Sequence, residues 1–190
     1  MTQISKKKKI ILVLDALAII LLVVLDQFTK HLAVTYLQDK PAYKIIDGVL
    51  ELNFLKNSGA AFGMLQNQKV FFVSVAVLIL FIIAYVLFRL PDEKKYNIMH
   101  VLLVMISAGA AGNMIDRIQN NYVVDFIYFV IINFPIFNVA DIYVTVATFV
   151  FIFLFLFYYK ESDFNFLSFR QHNKFREFNT KKWFLELKSW

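Results

Sequence analysis

Four stretches of this chain are apolar for long enough to cross a lipid bilayer, and nothing else in the sequence limits the fold as much. A helix needs about 20 mostly apolar residues to span a hydrocarbon core roughly 30 Å thick. Residues 10–28, 70–88, 98–115 and 137–159 come near that length, and the charged residues fall mostly outside them. Helices satisfy their own backbone in lipid, so the expected class is membrane all-α with four transmembrane helices. The third stretch is the least apolar; Ser107, Gly109 and Gly112 supply small residues suited to close helix packing. Composition agrees, with 59% hydrophobic residues and 22 Phe among 190, which excludes a soluble α/β enzyme and a disordered chain. The absence of cysteine excludes disulfides, a thiol nucleophile, thiolate metal sites and Cys lipidation of the chain itself.

Lys6 to Lys9 precede the first apolar run, as in a signal peptide. The run ends in Val24-Leu25-Asp26-Gln27 rather than a small-x-small cleavage site, so an uncleaved anchor is expected. Of the 20 Lys/Arg, 14 lie within residues 1–9, 89–97 and 160–190. The positive-inside rule then places both termini in the cytoplasm and the poorer loops outside. The basic charge is thereby topological, and no nucleic-acid partner is expected. Residues 161–190 form a basic-aromatic cytoplasmic tail, read as lying on the anionic inner leaflet. A partner-binding helix is the alternative for that tail.

The first outer loop carries its own structure. Residues 43–46 and 49–52 flank Asp47-Gly48, which predicts a hairpin with a two-residue turn and positive φ at both central positions. Asn121 to Phe129, rich in Val, Ile, Phe and Tyr, predicts a further extended segment. An exposed strand edge there would suit strand addition by an extended peptide.

Under this topology Asp26, Asp116, Asp125 and Asp141 collect at one membrane face. Asp26 ends the first span and Asp116 the third, while Asp141 lies about 6 Å inside the fourth. An ionisable group at such depth is costly unless paired or wetted, and it marks a functional site by default. Asp26 and Lys30, at i and i+4, read as a local ion pair at the interface. Asp116 and Arg117 diverge on a helix, so each is expected to pair with another element. Asp15, near the cytoplasmic side, is expected to be wetted or paired. Asp125 and Asp141 remain, 16 residues apart and in uncharged surroundings. Two carboxylates sharing a low-dielectric site cannot both ionise easily, so one can activate water while the other donates a proton. Two independently satisfied structural aspartates are the alternative.

Other chemistries fit less well. His31, His100 and His172 lack metal-ligand spacing and do not share a face under this topology, and no G-x-S-x-G elbow occurs. Lys56 and Ser58 permit a Ser/Lys dyad, although Ser58-Gly59 reads more simply as a turn.

Five strings, in order, resemble the lipoprotein signal peptidase (signal peptidase II) family. They are Asp26-Gln27-Phe28-Thr29-Lys30, Asn57-Ser58-Gly59-Ala60-Ala61-Phe62-Gly63, Gly112-Asn113-Met114-Ile115-Asp116-Arg117, Val123-Val124-Asp125-Phe126 and Phe137-Asn138-Val139-Ala140-Asp141. The resemblance covers about residues 10–160, and residues 1–160 would form the four-helix transmembrane peptidase domain. It implies an aspartic endopeptidase of the bacterial cytoplasmic membrane, with its active site at the extracytoplasmic face. Such an enzyme cuts a prolipoprotein immediately before a diacylglyceryl-modified cysteine. Asp125 and Asp141 would be the catalytic dyad, supported by Asp26, Lys30, Asn57, Gly59, Asn113, Asp116, Arg117 and Asn138. The resemblance also implies an extracytoplasmic β-cradle, a short amphipathic outer helix, contact with membrane lipids and inhibition by globomycin. No metal or organic cofactor is implied, and one chain holds a whole site, so a monomer is expected.

The chain departs from the family pattern at Lys56, where Arg is usual, at Asn121, where Gly is common, and at Ile142-Tyr143, where a small hydroxyl residue is more usual. Asn tolerates positive φ, so the turn at Asn121 is compatible with the family fold. A four-span ion or proton transporter and a noncatalytic membrane scaffold are the rival classes. A transporter would leave polar groups across the bilayer, and none of the spans has such a run; a scaffold would not need the dyad.

Overall fold

The computed structural model describes residues 5–59 and 65–168. Among the described residues there are four α-helices, α1 (Lys6–Leu37), α2 (Lys69–Arg89), α3 (Asn97–Asn120) and α4 (Val139–Phe157). Three strands, β1 (Tyr43–Ile46), β2 (Leu50–Asn57) and β3 (Val123–Phe129), form one antiparallel sheet in that order. All four helices are long and apolar enough to cross a membrane. Large side chains such as Leu21, Phe81 and Phe149 are exposed on them. That surface suits lipid and not water, so the chain is a multi-pass membrane protein.

The interior helix is α3, packed against α1, α2 and α4. Its apolar window is half buried, against 11–17% for the others, which explains its lower hydropathy: it meets helices where they meet lipid. The small residues matter here. A Cβ on Gly109 would stand 2.5 Å from the Ala140 carbonyl oxygen, and one on Gly112 would strike the Asp26 carboxylate.

Helix α1 runs well beyond the expected end near Phe28. At 1.5 Å per residue its 32 residues reach about 48 Å, far more than a hydrocarbon core requires. Asp26 therefore sits inside the helix and not at its end. No breaker falls between Phe28 and Leu37, and the extra turns have their own burial: Ala33 packs with Val124 and Phe126 of β3, with Leu37 and Leu52 alongside.

The hairpin is present, but its turn differs from expectation. The Val49 N–H donates to the Ile46 carbonyl at 3.0 Å, and only Gly48 (φ 70°) is left-handed. One positive φ at the third position is the type II pattern, so three residues separate the strands. Asn121 does take positive φ (67°), as the C-cap of α3, and β3 follows two residues later. Leu50 and Leu52 face Phe129 and Ile127, then the register slips, and Leu55 and Asn57 face Asp125 and Val123. The extra residue reverses the side-chain alternation of β2. Without it Lys56, and not Asn57, would share the face of Asp125.

After Pro135 the chain pairs with β3 through a bridge between Ile127 and Phe137, and that pairing delivers Asn138 to the start of α4. The sheet's free edge is β1, with all four residues exposed.

At the end of the bundle away from the sheet, Ser5 Oγ donates to Asp92 at 2.9 Å, and Tyr159 donates to the Lys95 carbonyl at 3.0 Å. Asp15 is paired there, with His100 Nδ1 2.7 Å from its carboxylate. Residues Glu161–Leu167 form a separate 3-10 segment. Most of the basic-aromatic tail, with His172, lies outside the described residues, as does Ala60 to Gly63 of the second motif. Among the described residues no α-helix other than α1–α4 corresponds to the short outer helix.

Candidate active site

The sheet, the loop before α4 and the sheet-side ends of α3 and α4 enclose a cleft of about 950 Å³. Asn57, Gly59, Asn113, Arg117, Asp125 and Asp141 all line it. Part of its wall is apolar, built by Phe134, Ile136, Phe137, Ile142 and Val146. Phe137 belongs to the fifth motif and Ile142 is one of the departures from the family pattern, whereas Phe134, Ile136 and Val146 look like ordinary span and loop residues and nothing in the sequence marks them.

Asp125 reaches the cleft from the middle of β3 and is 1% exposed. Its Oδ1 accepts from Asn138 Nδ2 at 2.7 Å and its Oδ2 from Asn57 Nδ2 at 2.8 Å. Asn57 is held in turn by the Gly59 backbone N–H, which donates to its Oδ1 at 3.0 Å. Burial first, and then the charge of Asp141, push the Asp125 carboxyl up to about 7, against the pull of both amide donors and the Lys30 charge.

Asp141 is the third residue of α4, and Asn138 is its N-cap. Asn138 Oδ1 accepts from the Asp141 N–H at 2.9 Å, while Asp141 Oδ2 accepts from the Asn138 N–H at 3.2 Å. This capping box satisfies orphan N–H groups at the helix start. The other oxygen, Oδ1, accepts from Asn113 Nδ2 at 2.8 Å. The two carboxylates are thus joined through Asn113 and Asn138, whose side chains meet at 3.1 Å.

Asp26, Lys30 and Asp116 do not line the cleft; all three are buried in the protein interior. Lys30 Nζ lies 2.9 Å from Asp26, the expected i,i+4 pair, and 3.1 Å from Asp116, which extends that pair into a three-charge cluster. Both carboxylates also reach backbone: Asp26 Oδ1, the oxygen turned from Lys30, accepts from the Ala140 N–H at 2.9 Å, and Asp116 Oδ2, the oxygen beside Lys30, accepts from the Val124 N–H at 3.0 Å. One cluster therefore ties α1 to α3, β3 and α4. Gln27 Nε2 adds a donor to Asp116 at 2.9 Å. Its place in the first motif was the one available sign of that role.

Arg117, as expected, pairs away from Asp116. It donates to the Gly59 carbonyl at 3.0 Å, and its guanidinium lies 4.5 Å from the centre of the Phe72 ring. Lys56 and Ser58 both line the cleft, but the Lys56 ammonium lies over Tyr122, 5.3 Å from the ring centre.

Four membrane-length helices and a small sheet thus bring Asp125 of β3 and Asp141 of α4, bridged by asparagine amides, to one partly apolar cleft in a multi-pass membrane protein. The profile of the signal peptidase (SPase) II family matches residues 18–157. A lipoprotein signal peptidase of Caldanaerobacter subterraneus subsp. tengcongensis is 44% identical over 137 residues, covering 71% of this chain and 91% of that protein. One from Streptococcus thermophilus is 45% identical over 131 residues, covering 68% and 84%. A bacterial membrane enzyme solved in meso at 2.3 Å superposes with TM-score 0.68 at 33% identity, over 75% of this chain and 87% of that one. The chain belongs to the signal peptidase II family, and it is a protease.

Proposed function

We propose that this chain is an aspartic endopeptidase of a bacterial cytoplasmic membrane. It removes the signal peptide from a prolipoprotein immediately before the diacylglyceryl-modified cysteine. The observation that carries the reading is the pair of carboxylates, buried Asp125 and half-buried Asp141, lining one cleft and bridged by two asparagines. Asp125, pushed up to about 7, is suited to hold the proton the pair shares, and Asp141 to act as base. Asp141 takes a proton from water as its oxygen attacks the scissile carbonyl, and Asp125 gives its proton to the carbonyl oxygen. The resulting diol collapses: the C–N bond breaks, Asp141 protonates the leaving amine, and Asp125 recovers a proton from the diol. Water is consumed and both carboxyls return to their starting states.

The supporting residues divide into two groups in this reading. Asn57, Asn113 and Asn138 donate to the dyad without adding charge. Asp26, Lys30 and Asp116 hold α1, α3 and α4 in register, while Arg117 and Gly59 shape the rim. The apolar wall suits an amphiphilic substrate whose lipid and signal helix stay in the bilayer. The sheet end faces outward and both chain ends face the cytoplasm, residues 1–160 form the peptidase domain, and the enzyme works as a monomer in contact with membrane lipids.

The test is a gel shift of a diacylglyceryl-modified prolipoprotein with purified protein, with and without globomycin. Globomycin-sensitive cleavage, lost in both Asp125→Asn and Asp141→Asn, is the expected result. Near-normal turnover in either folded variant rejects the dyad. A folded wild type that does not cleave favours a noncatalytic scaffold.

A further inference from the structure

Lys30 has three ammonium hydrogens, and the fold presents three acceptors to them. Asp26 Oδ2 and Asp116 Oδ2 lie at 2.9 and 3.1 Å, and Asn113 Oδ1 lies at 2.9 Å. The lysine is 3% exposed, so water does not compete. An ammonium donates and never accepts, so the Asn113 atom facing it must be the carbonyl oxygen. The NH2 group of Asn113 is thereby turned the other way, where Nδ2 donates to Asp141 Oδ1 at 2.8 Å. The same Asn113 oxygen also accepts from Asn138 Nδ2, whose remaining hydrogen goes to Asp125. Asn138 is oriented independently, because the Asp141 backbone N–H donates to its Oδ1. Reversing Asn113 would set its oxygen against the Asp141 carboxylate and its NH2 against both Lys30 and the Asn138 NH2. Three repulsive contacts would replace three hydrogen bonds.

We propose that Lys30 is a positioning residue which sets the direction of the amide relay, so that Asn113 and Asn138 both present donors to the two aspartates. Without the cation Asn113 loses one of its three orienting contacts and keeps those to Asn138 and Asp141, so the turned amide becomes more populated; its oxygen facing Asp141 would hold a proton there when the mechanism needs a base. The inference rests on the dyad reading above. It assigns Lys30 a task beyond neutralising Asp26 and Asp116.

A cycle of Lys30→Met and Asn113→Ala in the full-length enzyme tests it. Single-turnover cleavage of the diacylglyceryl-modified prolipoprotein is followed with enzyme in excess. Lys30→Met is expected to lower the rate constant at saturation by up to roughly 100-fold, the scale on which misplaced catalytic groups act, with KM unchanged. In the Asn113→Ala background the same substitution should cost no further rate, because the group it acts through is gone. A 15N-asparagine spectrum supplies a readout independent of activity. The Asn113 side-chain NH2 signal, identified by its loss in Asn113→Ala, should move towards a free-amide position in Lys30→Met.

If Lys30→Met alone does not fold, Lys30→Met/Asp116→Asn against Asp116→Asn gives the same comparisons with one counter-charge removed. Equal fold-losses in the two Asn113 backgrounds, or an unmoved amide signal, overturn the proposal and leave Lys30 as an ion-pair support. Asp125→Asn and Asp141→Asn run alongside; turnover surviving in those variants rejects the dyad itself, a failure distinct from this one.

Discussion

Asn138 and Asp141 cap one another: the Asn138 side-chain oxygen accepts the Asp141 N–H at 2.9 Å, and Asp141 Oδ2 accepts the Asn138 N–H at 3.2 Å. The residues that start α4 are therefore the residues that hold the site, since Asn138 also donates to Asp125. Helix capping and acid–base geometry are met by one short motif.

Asn138→Ser separates the two roles. Serine is about as good an N-cap as asparagine, so thermal unfolding should shift little. It cannot donate an amide hydrogen to Asp125 while its oxygen caps α4, and turnover should fall by roughly 10- to 100-fold. Equal loss of melting temperature and rate would mean that the cap is the whole effect.

Asp125 makes stability depend on pH. Its carboxyl is pushed from an ordinary 3.8 up to about 7, so the fold prefers the protonated form. The contribution is complete below about pH 3.8, declines as pH rises towards 7 and is gone above it. Wild type in detergent should lose melting temperature over that window, while Asp125→Asn should not. Parallel curves for the two proteins would contradict the burial argument.

Activity should carry the same mark. If Asp125 holds the proton that is given to the carbonyl oxygen, kcat/KM should fall on the alkaline side with an apparent pKa near 7. The value belongs to the pair and not to one residue. A profile flat to pH 9 would exclude Asp125 as the acid.

Gly112→Ala should be costly. The added Cβ would strike the Asp26 carboxylate, which pairs with Lys30 and accepts the Ala140 N–H. Overpacking of this kind costs about 1–3 kcal/mol. The expected result is a lower melting temperature, and an unchanged one would show that α1 can shift without loss.

Arg117→Lys keeps the charge but not the planar fork. The Gly59 carbonyl and the Phe72 face both lose their partner. KM should rise more than kcat falls, measured under steady state with the lipidated substrate. A fall confined to kcat would place Arg117 in the chemistry.

Much of the architecture was legible in the chain because solvent preference is written residue by residue. Apolar length marked α2 to within a residue or two, and the β-rich run after Asn121 marked β3. The hairpin was legible too, but not its turn, because Asp-Gly permits more than one geometry and the strand pairing chose among them. Helix α1 continues to Leu37, past the apolar run that stops near Phe28, because a charge with a buried partner does not end a helix. In a helix bundle Asp26 and Lys30 stay inside by finding Asp116.

What the sequence alone determined is the set of parts: four spans, a short sheet and five ordered motifs carrying the acids, amides and cations. Only the tertiary structure decided which acids face the cleft and which do not line it. Asp26 and Asp116 meet a buried ammonium and backbone N–H groups, whereas Asp125 and Asp141 meet neutral amides and a cavity. A bulge in β2 and two glycines in α3 set that division. The physical reason is that a carboxylate's chemistry depends on the charges and donors within a few ångströms of it. Those neighbours come from elements distant in the chain, brought together when the helices pack.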